Sequence, residues 1–312
     1  MNILIFSDHG FGCGGGLGVY CNILAQINRF LGNNVIKVGI DGKVRLFHDS
    51  AFFGVLNKIV KKKRIDLIHA NILNPRVAYL FSRLMNQLKV PWVITVHTWV
   101  YLCPTEWNVR LKSFQPCCGR VSANCVSCVV SEQRLLGKSS KEIIQNILRI
   151  PYNVHSFRSL IRNAYCVISP SKEFASTLKH QMNVNAYYVP NPVSQKMLEI
   201  ESEPSGDGSL VFIGRLVDKK GVRLLPKLAR LLDRKIHVIG HGLLEGWLLQ
   251  HKPSNIVYHG FTFGEAKFNI LKKASVLIAP SLCFEIWNYT VTEAFIVGKP
   301  VVAFDLGGQK SR

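Results

Sequence analysis

Two glutamates, Glu285 and Glu293, stand eight positions apart in an otherwise apolar stretch of the 312-residue chain. A buried carboxylate without a partner is costly, so the pair points to hydroxyl donors on a ligand. Upstream, Gly214-Arg215-Leu216 runs into Lys219-Lys220-Gly221. A guanidinium fork and ammonium point charges suit phosphate. Gly14, Gly15 and Gly16 lie between an apolar run and a helical pattern. Free backbone N–H groups at such a helix start also suit phosphate. His69 and His97 each close an apolar run, as does His241-Gly242. The chemistry indicated is recognition of a ligand that carries hydroxyls and phosphate.

These residues need elements to position them. Residues 275–279 are a short apolar run closed by Pro280, the pattern of a buried parallel strand. Val291, Ala294, Phe295 and Val297 then recur at helical spacing and stop at Gly298-Lys299-Pro300, and 300–304 reads as the next strand. Glu285 falls at the helix entrance. Both glutamates can then face the carboxyl ends of the strands, where open α/β sheets bind ligands. The rest repeats this rhythm. Strands are expected at 2–6, 35–40, 65–69, 92–96, 165–169, 186–193, 210–214, 235–240 and 255–259. Helices are expected near 17–31, 52–63, 75–88, 141–162 (interrupted at Pro151), 174–181 and 265–273, and Pro226 is expected to kink the helix after Gly221. The fold class is α/β with doubly wound parallel sheets. Residues 199–209, rich in Glu, Ser, Pro and Gly, read as a linker between domains at 1–198 and 205–312. Residues 98–140 form a long excursion, of the kind that is usually functional or disordered. It carries Cys103, Cys117, Cys118, Cys125 and Cys128. Cys125-x-x-Cys128 has zinc spacing. A structural zinc on Cys103, Cys117, Cys125 and Cys128, with Cys118 able to replace Cys117, stands beside reduced thiols as an open alternative.

Several of these motifs resemble one family. Glu285, Glu293, Ala294, Gly298, Pro300, Val301, Val302, Gly307 and Gly308 match the E-x7-E region of the retaining GT-B glycosyltransferases called glycosyl transferases group 1, family 4. Gly214, Arg215, Leu216, Lys220 and Gly221 match its G-R-L-x-x-x-K-G motif; Thr95-Val96-His97 matches T-x-H, and Pro190-Asn191-Pro192-Val193 its first-domain exit. Asn288 departs from a common glycine. The resemblance covers nearly all of the chain. It implies two Rossmann-like domains, an acceptor-side domain and a nucleotide-sugar-binding domain, and a UDP- or GDP-sugar donor. It places Arg215 and Lys220 on the donor diphosphate, Glu293 on the nucleotide ribose, Glu285 on donor-sugar hydroxyls and His97 beside the transferred sugar. Gly14, Gly15 and Gly16 would approach the donor phosphates and acceptor, and Gly214 and Gly242 the nucleotide. Catalytic roles are expected for His97, Arg215, Lys220 and Glu285, with front-face attack by an acceptor hydroxyl. Family members continue past the glycine pair. The second domain is therefore expected to be incomplete, and this form less stable and less active than longer relatives.

Hydrophobic residues make up 48% of the chain and charged ones 19%, an ordinary globular balance. No apolar run reaches the length of a membrane span, and no basic segment precedes residues 2–6, so a cytoplasmic location is expected. The net charge of +20 calls for an anionic partner. An anionic membrane carrying a lipid-linked acceptor fits, at the inner face of the plasma membrane, and so does a glycan acceptor in polysaccharide or lipopolysaccharide synthesis. No nucleic-acid module is visible, so no nucleic acid is expected. No Asp-x-Asp motif appears, and no metal is expected in catalysis. Two other readings stay open: a weak or inactive relative that binds a nucleotide or partner, and an NAD-dependent oxidoreductase using Gly10-x-Gly12-x-x-Gly15. The latter leaves the motifs after residue 210 unexplained.

Overall fold

Each apolar run expected as a strand forms one. In both halves of the chain the main sheet is parallel. The computed structural model describes residues 1–11, 16–40, 49–111, 115–117 and 121–307. The chain divides into two units, Met1–Pro192 and Val193–Arg312.

The first unit runs β1 (Asn2–Ser7), α1 (Gly16–Phe30), β2 (Asn34–Gly39), α2 (Asp49–Lys62), β3 (Leu67–Asn71), α3 (Pro75–Gln87) and β4 (Trp92–Thr95). A short hairpin of β5 (Val109–Arg110) and β6 (Gln115–Pro116) follows, then α4 (Asn124–Leu135), α5 (Ser140–Asn163), β7 (Cys166–Ser169), α6 (Lys172–Met182) and β8 (Ala186–Tyr188). The main sheet has the order β2-β1-β3-β4-β7-β8. Ile5 sits opposite both Lys37 and His69. Strand order reverses between β1 and β3, and ligands bind outside the strand ends at such a point. Asn74 caps α3 by accepting from the Arg76 and Val77 amides, with Pro75 in the first turn where its missing N–H costs nothing. Phe81 of α3 packs on Phe6 and Trp92, with centroids 5.1 and 5.3 Å away.

Two expectations for this unit change. The helix at Pro151 is not interrupted: α5 continues through it. Pro151 is exposed, so the carbonyl deprived of its partner can turn to water. Phe157, Leu160 and Ile161 are fully buried and anchor the half that follows. The stretch 98–140 is not a structureless loop among its described residues. Trp99, Tyr101, Leu102, Cys103, Trp107 and Val109 are buried there, and the Trp107 indole N–H donates to Glu132 at 2.9 Å. Its aromatic content gives this excursion a core of its own.

The second unit runs α7 (Gln195–Leu198), β9 (Leu210–Ile213), α8 (Leu225–Leu232), β10 (Ile236–Ile239), α9 (Glu245–His251), β11 (Ile256–Tyr258), α10 (Gly264–Lys273), β12 (Val276–Ala279), α11 (Tyr289–Ile296) and β13 (Val301–Ala303). Its order, β11-β10-β9-β12-β13, reverses between β9 and β12. Leu210, Phe212, Leu225, Val238 and Leu248 form the core on one face, and Val211, Leu271, Leu277, Val291 and Ala294 that on the other. Pro226 does not kink a helix; it occupies the first turn of α8, after a 3₁₀ turn at Val222–Leu224. The segment expected as a linker is fastened to this unit. The Glu203 amide donates to Val297 O, the buried Lys299 ammonium to Ser205 O, and the Asp207 amide to Lys273 O. At β13, Val302 and Phe304 are exposed beside Leu224, Leu228 and Leu231 of the α8 region.

Candidate functional site

In the second unit, backbone geometry builds the site before any side chain does. The loop leaving β9 and the loop leaving β10 run in direct contact. Gly214 N donates to Ile239 O, and Leu216 N to His241 O. Gly242 has φ +156°, and a Cβ there would lie 2.6 Å from Leu216 O. Gly221 has φ +73°, and a Cβ there would meet Pro280 O at 2.0 Å. Only glycine allows these approaches. They bring the loops after β9, β10 and β12 to one place, the switch point of the sheet.

Two expected site residues meet there, with Ser281, which the sequence reading did not select. Lys220 forms an ion pair with Glu285, and Ser281 Oγ donates to the same Glu285 oxygen at 2.7 Å. The Glu285 backbone bridges to Gly307. Burial pushes the Glu285 carboxyl up. The charge and hydrogen bond of Lys220, with Ser281 and Lys219, outweigh that and hold it below the ordinary carboxylate value. Arg215 is exposed on the same loop. Glu293 is placed by α11, which Asn288 caps by accepting from the Thr290 amide at 3.2 Å. Lys267 Nζ donates to Glu293 Oε1 at 2.7 Å. Glu293 Oε2 is buried without a hydrogen-bond partner among the described residues. An acceptor in that state marks a place for a donor from a ligand.

The first unit carries a second cluster at its own switch point. His97 follows β4, and its Nε2 lies 3.0 Å from Asn71 Oδ1. The Asn71 amide nitrogen donates to Phe6 O, which leaves Oδ1 as acceptor. His97 therefore carries its proton on Nε2, and its Nδ1 is left with a lone pair. Burial and then His69 push the His97 pKa down to about 3. Burial pushes His69 down to about 4; its Nε2 lies 2.7 Å from Thr95 Oγ1, a structural contact. Tyr20 stacks edge-on against His97 at 4.6 Å and bonds Thr95 through its hydroxyl. Asp8 accepts from the Leu73 and Asn74 amides at 2.8 and 2.6 Å, and so ties the exit of β1 to the start of α3.

Asp8, Tyr20, Asn71 and Lys267 are residues the sequence reading did not select. Asp8 directly follows an apolar strand, and Asn71 stands two positions after His69, the alternation that puts both on one face. Those signals were available. Lys267 on a solvated helix carried none. Gly16 is exposed and opens α1, while Gly14, Gly15, Cys118 and Gly308 lie outside the described residues. Cys125 and Cys128 share one face of α4, and Cys103 is buried with its sulfur 3.4 Å from Thr105 Oγ1. Among the described residues, no three His, Cys, Asp or Glu side chains gather as a metal ion requires, so the zinc expectation finds no support. No described helix is long and apolar enough to cross a membrane.

Residues 24–196 match the family model described as Glycosyltransferase Family 4, and residues 207–311 match that of Glycosyl transferases group 1. No curated protein matches in sequence. Among solved structures, sucrose-phosphate synthase from Thermosynechococcus elongatus aligns with a TM-score of 0.72 at 17% identity, over 99% of this chain and 82% of that one. HepE of Anabaena in complex with UDP-glucose aligns with a TM-score of 0.64 at 15% identity, over 99% and 82%. The lipopolysaccharide outer core galactosyltransferase WaaB aligns with a TM-score of 0.57 at 13% identity, over 98% and 81%. At these identities the likeness is one of fold.

Proposed function

Because the chain belongs to glycosyltransferase family 4, we propose that this GT-B enzyme moves a sugar from a nucleoside-diphosphate sugar to an acceptor hydroxyl with retention at the anomeric carbon. The observation that carries this is the assembly of Lys220, Glu285 and Ser281 at the β9/β12 switch point, with the half-satisfied Glu293 nearby in sequence. The donor diphosphate lies on the Gly214–Gly221 loop, held by Arg215 and Lys220. A ribose hydroxyl donates to Glu293 Oε2, and sugar hydroxyls donate to Glu285. Neutral His97 offers its Nδ1 lone pair to a hydroxyl of the transferred sugar. The bond from the anomeric carbon to the diphosphate oxygen breaks, and the acceptor oxygen bonds to that carbon from the same face. The acceptor's proton passes to the departing diphosphate, whose growing charge Arg215 and Lys220 stabilise. The acceptor is a glycan or lipid-linked saccharide of cell-surface polysaccharide or lipopolysaccharide synthesis. A UDP-glucose complex in a fold relative favours a uridine donor. The test is a thermal-shift screen with UDP-, GDP- and ADP-sugars and NAD, followed by release of nucleoside diphosphate with candidate acceptors. Stabilisation by a nucleotide sugar alone is expected; stabilisation by NAD alone would overturn the reading.

A further inference from the structure

One face of α5 is turned away from the core it helps to build. A spacing of four puts Ile144, Leu148 and Tyr152 on the same side of the helix, and they are 57, 73 and 43% exposed. The end of α4 and the turn after it add Leu135 and Leu136, 50 and 40% exposed. Single exposed apolar residues are ordinary, but a contiguous stripe marks a contact surface. Cations line the stripe. On the helical wheel Lys141 falls within the arc of the stripe and Arg149 about 60° beyond its Tyr152 edge, both exposed, and Arg134 and Lys138 stand exposed around the turn. Residues 121–165 hold six Lys and Arg against two glutamates. Both glutamates are engaged locally: Glu132 accepts from Trp107, and Glu142 from Lys138 Nζ at 2.8 Å. The opposite face of α5 buries Phe157, Leu160 and Ile161, so the orientation of the helix is fixed.

We propose that the α4–α5 hairpin is a docking surface for an anionic lipid bilayer. Its apolar stripe enters the boundary between headgroups and acyl chains, and its cations meet the lipid phosphates. Charge complementarity selects the bilayer. Beside the stripe the one exposed carboxylate, Glu142, is paired with Lys138, which leaves Arg134, Lys141 and Arg149 as the uncompensated charges, and the chain's net +20 adds to the same field. Tyr152 has the amphipathic ring that sits at membrane–water interfaces. The inference stands apart from the transferase reading, because its test involves no sugar transfer. The purified full chain is sedimented with vesicles of phosphatidylcholine alone and of a phosphatidylcholine–phosphatidylglycerol mixture. It should partition onto the mixture and be released by salt. Ile144→Glu with Leu148→Glu should weaken partitioning at least about tenfold, and Arg149→Glu about fivefold or more. All these positions are exposed, so melting temperatures should stay near that of the unaltered chain. Equal partitioning with and without phosphatidylglycerol would overturn the proposal on the unaltered chain alone. So would glutamate variants that bind like the parent, or a self-association in solution that those variants abolish.

Discussion

Lys220 and Glu285 neutralise one another, and in the proposed reaction a donor diphosphate would compete for the Lys220 ammonium. Removing one member of a largely buried pair leaves the other uncompensated. Lys220→Ala should therefore cut turnover by about 10²–10³ and also lower the melting temperature. Adding Glu285→Gln should restore stability but not turnover, which separates the two effects in a double-mutant cycle. Arg215→Ala should show the turnover loss with little change in melting, because Arg215 is exposed. The buried histidines predict a pH effect. His97 and His69 have folded pKa values near 3 and 4, below the ordinary 6.5. The unfolded chain takes up protons on them below pH 6.5 while the folded chain does not. Stability is thus intact above that pH and falls as pH drops from 6.5 toward 4, by on the order of 2 kcal/mol per histidine at pH 4.5. Replacing His69 and His97 with Gln should flatten this part of the stability–pH curve measured by denaturant titration. An unchanged slope would mean that neither imidazole is held neutral.

At the level of elements, α5 shows packing overruling a local signal. A proline in a helix interior costs up to about 3 kcal/mol, through a lost hydrogen bond and a clash. Here the exposed position of Pro151 and the buried anchors after it hold the helix together. Pro151→Ala should therefore stabilise the first unit by about 1–3 kcal/mol, read as a higher melting temperature with unchanged donor binding. A destabilised variant would show that the proline sets a bend the packing requires. Pro226 teaches the reverse lesson. Its neighbours read as helix, but the helix begins where the proline stands, so its missing N–H costs nothing.

For the whole molecule, the two-unit division carries its own prediction. The second unit has cores on both faces of its sheet, and every residue assigned to the donor lies within it except His97 and the 14–16 glycines. Residues 193–312 expressed alone should melt cooperatively and be stabilised by the same nucleoside diphosphate as the full chain, yet transfer no sugar. A non-cooperative melt, or no response to any nucleotide, would show that donor binding needs the first unit.

By itself the sequence determined the α/β alternation, nearly every strand and the family, and it singled out Arg215, Lys220, Glu285, Glu293 and His97 as candidates around the strand ends. The reason is that buried parallel strands need short unbroken apolar runs, and that loops at their carboxyl ends bear residues whose types are fixed by chemistry. Element ends, the run of α5 through Pro151, the folding of the cysteine-bearing excursion and the fastening of 199–209 to the second unit were decided by tertiary contacts that no local window contains. The same holds for partners. Glu285 is 65 positions from Lys220 and Asp8 is 65 from Leu73. Only the folded sheets bring such residues within hydrogen-bonding reach and bury the histidines, and that sets the ion pair, the neutral His97 and the one unsatisfied oxygen of Glu293.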